Sequence, residues 1–72
     1  MRVSELAAIL AERYDSAPER DKAAHVVLFG IEFAEMLDGH SVAEVVSQSG
    51  IGKWGPQVSL GRKLARHVEV RK

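Results

Sequence analysis

Three groups of residues in this chain have types and spacings that could do chemistry. In "SGIGKWGPQ", Gly50, Gly52 and Gly55 fall as G-x-G-x-x-G, with Lys53 and the sole tryptophan, Trp54, between the second and third. Glycine-rich loops of that spacing cradle phosphates with backbone N–H groups, and a nearby lysine adds a cation. Further on, Ser59, Arg62, Lys63 and Arg66 fall at i, i+3, i+4 and i+7, with Gln57 just ahead of them. Guanidinium, ammonium, amide and hydroxyl donors in such a row match phosphate oxygens and base edges. The third group is the three histidines, His25, His40 and His67.

The glycine spacing fails as a nucleotide loop. A dinucleotide fingerprint needs a strand before its first glycine and a βαβ unit to carry an acidic residue about 20 positions on. Here an amphipathic helical pattern precedes Gly50 and the chain given stops soon after Glu69. A Walker loop needs G-x-x-x-x-G-K-[ST], and Lys53 is out of place for it. The glycines read instead as separate fittings: Gly50 ends a helix, Gly52 loosens a turn, and Gly55 with Pro56 opens the next helix. The histidines show no H-x-x-x-H or related spacing and fall on different elements, so each reads as a surface or helix-end residue. There are no cysteines, which excludes a disulfide and cysteine-ligated zinc. No strained nucleophile turn is present, and a bundle this small offers little concave pocket. The expectation is a protein that is not an enzyme and uses no cofactor, nucleotide or metal.

The elements that position the basic row follow from periodicity. Val3, Leu6, Ala7, Leu10 and Tyr14 lie on one helical face, giving a helix near 3–14. "SAPER" reads as a helix start, with Ser16 as N-cap, Pro18 in the first turn and Glu19 three residues after the cap. The helix that follows, near 17–37, is apolar on two sides: Val27, Ile31 and Ala34 on one, Val26, Phe29, Phe33 and Leu37 on the other. Such a helix is packed from both sides, by its own chain or by a second subunit. Gly30 in its middle costs about 1 kcal/mol relative to alanine, which points to a close helix crossing. Gly39 ends it. Ser41 and Glu44 form a capping box for a short helix near 41–49 with Val42, Val45 and Val46 inward, and Ile51 plugs the core after it. Pro56 is tolerated only in a first turn, so the last helix spans about 56–68. Residues 67–72 could fray, continue the helix or form a short strand.

These patterns give an all-α, compact four-helix domain covering residues 1–72, with a helix-turn-helix-like unit in its C-terminal half. At 72 residues the chain is one small domain with a thin stability margin. The N-terminal stretch carries acids within its apolar pattern, unlike a signal peptide, and no apolar run approaches the ~20 residues of a membrane span. A cytoplasmic location is expected. The formal net charge of zero conceals a strong polarity. Residues 1–48 hold four bases and nine acids, while residues 49–72 hold six bases and one acid. An anionic partner for the basic end would explain this, as would pairing between halves or subunits.

A short capped helix, a glycine turn, an apolar plug and a last helix with a polar outer face describe the unit whose second helix enters the major groove. On that reading Lys53, Trp54, Gln57, Ser59, Arg62, Lys63 and Arg66 face duplex DNA, with Lys53 near the anion-favouring start of the helix. Trp54 has two open roles, turn packing or stacking on a sugar or base. The basic row has a plain alternative, an ordinary solvated helix surface. Two departures from the standard unit stand out. Val46 occupies the place four before the turn glycine where a small residue is usual, and Pro56 lengthens the turn. A protein-interaction or dimerisation module without direct DNA binding is the second reading, and many helix-turn-helix proteins bind as dimers.

The chain resembles a family of small bacterial helix-turn-helix-like domains over most of residues 3–70. The resemblance rests on "LFGI-x-FA" (Leu28 to Ile31, Phe33, Ala34), "S-x-x-E-V-V" (Ser41, Glu44, Val45, Val46), Gly50-Ile51, "G-x-KLA" (Gly61, Lys63, Leu64, Ala65) and Val68. Where the family has a histidine directly before Leu-Phe-Gly, this chain has Val27, with His25 two residues earlier; its "GKWGP" turn also departs from the pattern. The resemblance implies sequence-specific DNA binding or gene regulation.

Overall fold

The computed structural model describes residues 1–70, and the described elements are all helical. They are α1 (Val3–Ser16), a 3₁₀ turn (Glu19–Asp21), α2 (Lys22–Glu32), α3 (Ala34–Leu37), α4 (Val42–Ser49) and α5 (Gly55–Leu64). The part of the sequence expectation for the chain's end that concerns residues 71 and 72 lies outside the described residues.

The first helix forms where its apolar stripe predicts. Leu6, Ala7 and Leu10 are buried, and the Arg2 backbone N–H donates to Glu5 Oε1 at 3.0 Å across the first turn. It runs two residues longer than expected, and Ser16 is its last residue rather than the N-cap of the next helix. The reason lies in Ala17 and Pro18, both extended (ψ 140° and 150°), since the residue before a proline is pushed out of the helical region. Lys22 exploits the break. Its Nζ donates to the carbonyl oxygens of Tyr14 (2.7 Å), which also accepts the Ala17 N–H, and of Ala17 (3.3 Å), and lies 4.2 Å from the Tyr14 ring centroid. A cation at a helix C-terminus meets the negative end of the dipole and the orphan carbonyls together. The second helix therefore starts at Lys22, not at residue 17.

The long second helix predicted near 17–37 is also offset near its end, at Phe33 (φ −105°, ψ 19°), which separates α2 from α3. Hydrogen bonds still cross the offset, from Phe33 N–H to Phe29 O and from Leu37 N–H to Phe33 O, each 2.9 Å. No proline occupies the site; a bracket on α1 does. Arg13 Nη1 donates to Glu32 Oε2 at 2.6 Å, and the same guanidinium lies 5.5 Å over the Phe33 ring, which stacks on Phe29 at 5.0 Å. That hydrogen bond, opposed by partial burial, raises the Arg13 pKa above its ordinary value, so the guanidinium stays charged.

The two apolar sides of α2 are both packed within the chain, and Val58 carries α5 into the core on the first of them. Val26, Phe29 and, on α3, Leu37 join Leu6, Leu10, Val45 and Val58 in the core. On the other side α5 packs against α2, the most extensive helix pair in the fold, while α4 packs chiefly on α1. The α2–α5 crossing is backbone on backbone at Gly30 and Gly61. A Cβ on Gly30 would press on Val58 O and lie 3.0 Å from Gly61 Cα. A Cβ on Gly61 would press on Val27 O and lie 2.8 Å from Gly30 Cα. The close crossing expected from Gly30 is present, and Gly61 is its second half.

Candidate nucleic-acid interface

The helix-turn-helix-like unit is built from α4, residues 50–54 and α5. Ser41 Oγ accepts from the Glu44 N–H at 3.3 Å, Val45 and Val46 are buried, and Gly50 closes α4 in the left-handed conformation (φ 73°). Ser49 Oγ donates to Val46 O at 2.6 Å and accepts from the Ile51 N–H at 3.4 Å, which guides the half-buried Ile51 against the core. A second positive-φ glycine, Gly52 (φ 105°), extends the turn, and the Trp54 N–H returns to Gly52 O at 3.0 Å. Gly55 and Pro56 open α5 as expected. The G-x-G-x-x-G spacing thus joins two helices. Its glycines serve turn geometry.

The turn holds Trp54 against the body of the domain. Its ring is half-buried, packs on the core and meets Tyr14 of α1 at 5.6 Å between centroids, tilted by 60°. An aromatic pair of this kind adds about 0.5–1.5 kcal/mol beyond its buried area. Of the two roles open to Trp54, packing is the one that this geometry fills. It pins the turn to α1 and so compensates for the thin contact between α4 and α5.

The basic row is divided by its surroundings. Lys53, Lys63 and Arg66 are exposed, whereas Gln57, Ser59 and Arg62 are half-buried. Gln57 Oε1 is buried and has no hydrogen-bond partner among the described residues, so that oxygen of the amide is turned inward. Ser59, Arg62, Lys63 and Arg66 form one wall of a groove of about 570 Å³. The opposite wall comes from α3 and the residue after it: Ala34, Glu35 and Asp38. The sequence reading missed both acids, because neither belongs to a motif and only the folding of α5 back across α2 and α3 brings them there. A pattern of charge along the chain could not have revealed that placement.

The last helix is shorter than the expected 56–68. It ends at Leu64, although Val68 N–H still bonds to Leu64 O at 3.0 Å through a turn at 65–67. Beyond Ala65 the residues Arg66 to Glu69 are exposed, so no buried face sustains another helical turn. No described helix is long and apolar enough to cross a membrane. No curated protein and no solved structure matches the chain. A family model described as an HTH-like domain matches residues 2–71, which takes in every element described above. By that match this all-helical chain belongs to the HTH-like domain family.

Proposed function

We propose that the domain binds duplex DNA non-enzymatically, through the solvent side of α5. The observation that carries this reading is the placement of three exposed cations: Lys53 just before the start of α5, and Lys63 and Arg66 at its other end. A ten-residue helix is about 15 Å long, and the major groove is about 12 Å wide. Cations at the two ends of α5 therefore suit phosphates on the two edges of one groove. Pro56 and Leu60 occupy the exposed middle, where an apolar contact with a thymine methyl is the available readout. Gene regulation or a DNA-associated accessory role in the cytoplasm is the setting this implies.

The test is fluorescence anisotropy on a labelled duplex across a salt series. Three phosphate contacts give a slope of about −2.7 in log K against log salt, and Lys53→Ala with Lys63→Ala should reduce it by about 1.8. Absence of binding to any duplex at low salt refutes the reading.

One observation favours a second reading, a protein-interaction module. Glu35 and Asp38 stand opposite Arg62, Lys63 and Arg66 across the groove, and acids in that position repel phosphate while matching a partner of mixed charge.

A further inference from the structure

We infer that the groove between α3 and α5 is a self-association surface, closed by the same groove of a second copy of this chain. Its charge layout carries the inference. One wall presents the acids Glu35 and Asp38, the other presents Arg62, Lys63 and Arg66. Among the described residues, none of these five charges makes an ion pair. A two-fold axis places each wall against the opposite wall of its partner, because an isologous interface pairs residue i with j and j with i. A surface with one acidic and one basic wall is then complementary to itself. A uniformly charged partner, such as a nucleic acid backbone, satisfies only one of the two walls.

The surface beside this groove fits the same occupant. A second depression of about 420 Å³ shares Ala34, Glu35 and Ala65 with the first, so the two are continuous. It adds the exposed side chains of Met36 and Val68, 43% and 47% accessible, which are among the largest apolar groups left in solvent. An apolar centre with a charged rim is the usual anatomy of a protein interface. A standard interface covers about 800 Å² per partner, roughly a sixth of the 4876 Å² surface of this chain. The inference goes beyond the DNA reading and stands without it. Lys53 and Leu60 are not part of either depression, whereas Lys63 and Arg66 line the first, so a dimer closed there competes with DNA for those two cations.

Sedimentation equilibrium of the 72-residue protein, without DNA, tests the inference. The wild type should show a concentration-dependent monomer–dimer equilibrium that weakens as salt rises. Glu35→Arg with Asp38→Arg in one chain, and Arg62→Glu with Arg66→Glu in another, should each raise the dimer Kd on the order of 100-fold, because like charges then face each other. An equimolar mixture of the two variants should associate again, since one carries two basic walls and the other two walls of net negative charge, Lys63 being retained in one of them. Circular dichroism checks that each variant keeps its helices, and the wild-type series stands without the variants. A wild type that stays monomeric at every concentration overturns the proposal, as does a dimer indifferent to both charge reversals or a mixture that fails to associate. None of these outcomes depends on whether Lys53 and Lys63 bind DNA.

Discussion

Replacing Gly30 or Gly61 with alanine should destabilise the domain, although both glycines lie inside helices where alanine is intrinsically better by about 1 kcal/mol. The obstacle in each case is backbone. At Gly61 the new Cβ would lie 2.8 Å from Gly30 Cα and 2.9 Å from Ile31 N, while ordinary contact begins near 3.4 Å. The helices must therefore separate by roughly half an ångström or more, and a gap of that size forfeits about a quarter to a half of the dispersion attraction along the crossing. Overpacking of this kind costs about 1–3 kcal/mol, and the absence of any flexible side chain to yield puts these sites in the upper part of that range. After the propensity gain, a net loss of about 1–2 kcal/mol remains. In a domain this small that lowers Tm by about 4–16 °C. Thermal and urea unfolding followed by far-UV circular dichroism measure it. The double variant should cost less than the two singles together, because both methyls load one crossing and the first separation makes room for the second. Gly55→Ala is the control: nothing lies within 4 Å of its Cβ, and it should be neutral or slightly stabilising. A Gly30→Ala or Gly61→Ala protein as stable as wild type would show that the helices do not meet at these glycines.

The bracket on Phe33 gives another expectation. Arg13→Ala should cost about 1 kcal/mol in urea unfolding, a modest figure because the Arg13 side chain is 40% exposed and solvent screens part of the attraction. The folded-state pKa of Arg13 is raised, so its contribution is complete below the unfolded pKa and is lost only as pH rises through the still higher folded value. The Arg13 effect should therefore be level across neutral pH when the variant and wild type are compared there. Trp54→Ala should cost about 2 kcal/mol, less than a fully buried tryptophan, by removing the ring that holds the turn to Tyr14. Trp54 is also the sole tryptophan, so its fluorescence reports the docking of the turn, and Tyr14→Ala should red-shift the emission without unfolding the chain.

What the sequence revealed and what it hid divide along physical lines. Local signals were legible. The stripe from Val3 to Tyr14, the closure at Gly50 and the opening at Pro56 each depend on residues a few positions apart, and each is present. Of the Ser41–Glu44 capping box only the Ser41 half forms, the Glu44 carboxylate accepting from Gln48 instead. Gly30 was legible as a cost in search of a reason, and the crossing with Gly61 supplies it. The misread start at Ser16 turned on a competition that periodicity does not weigh. A serine followed by proline and glutamate fits a helix start, but Pro18 holds Ala17 extended and Lys22 caps Tyr14 O and Ala17 O, so the same stretch is a helix end. The bracket at the Phe33 offset was invisible because Arg13, which lies over the ring, is 20 positions away in sequence and on another helix. The acidic wall of the groove escaped notice for the same reason.

The two kinds of result meet in α5. This helix is seated by Gly61 against Gly30, and Arg62 follows directly with its side chain in the groove. With α4 holding it only lightly, the angle at which α5 crosses α2 fixes how far the basic wall stands from Glu35 and Asp38. A methyl at the crossing that moves the helices apart must also widen the groove, whatever occupies it. Stability and recognition are therefore coupled at one point, and Gly61→Ala should weaken binding even where the helix content survives. A variant at Gly55, also on α5 but with nothing within 4 Å of its Cβ, should leave both unchanged. That contrast separates a scaffold effect transmitted through the α2–α5 crossing from a generic effect of adding a methyl to α5.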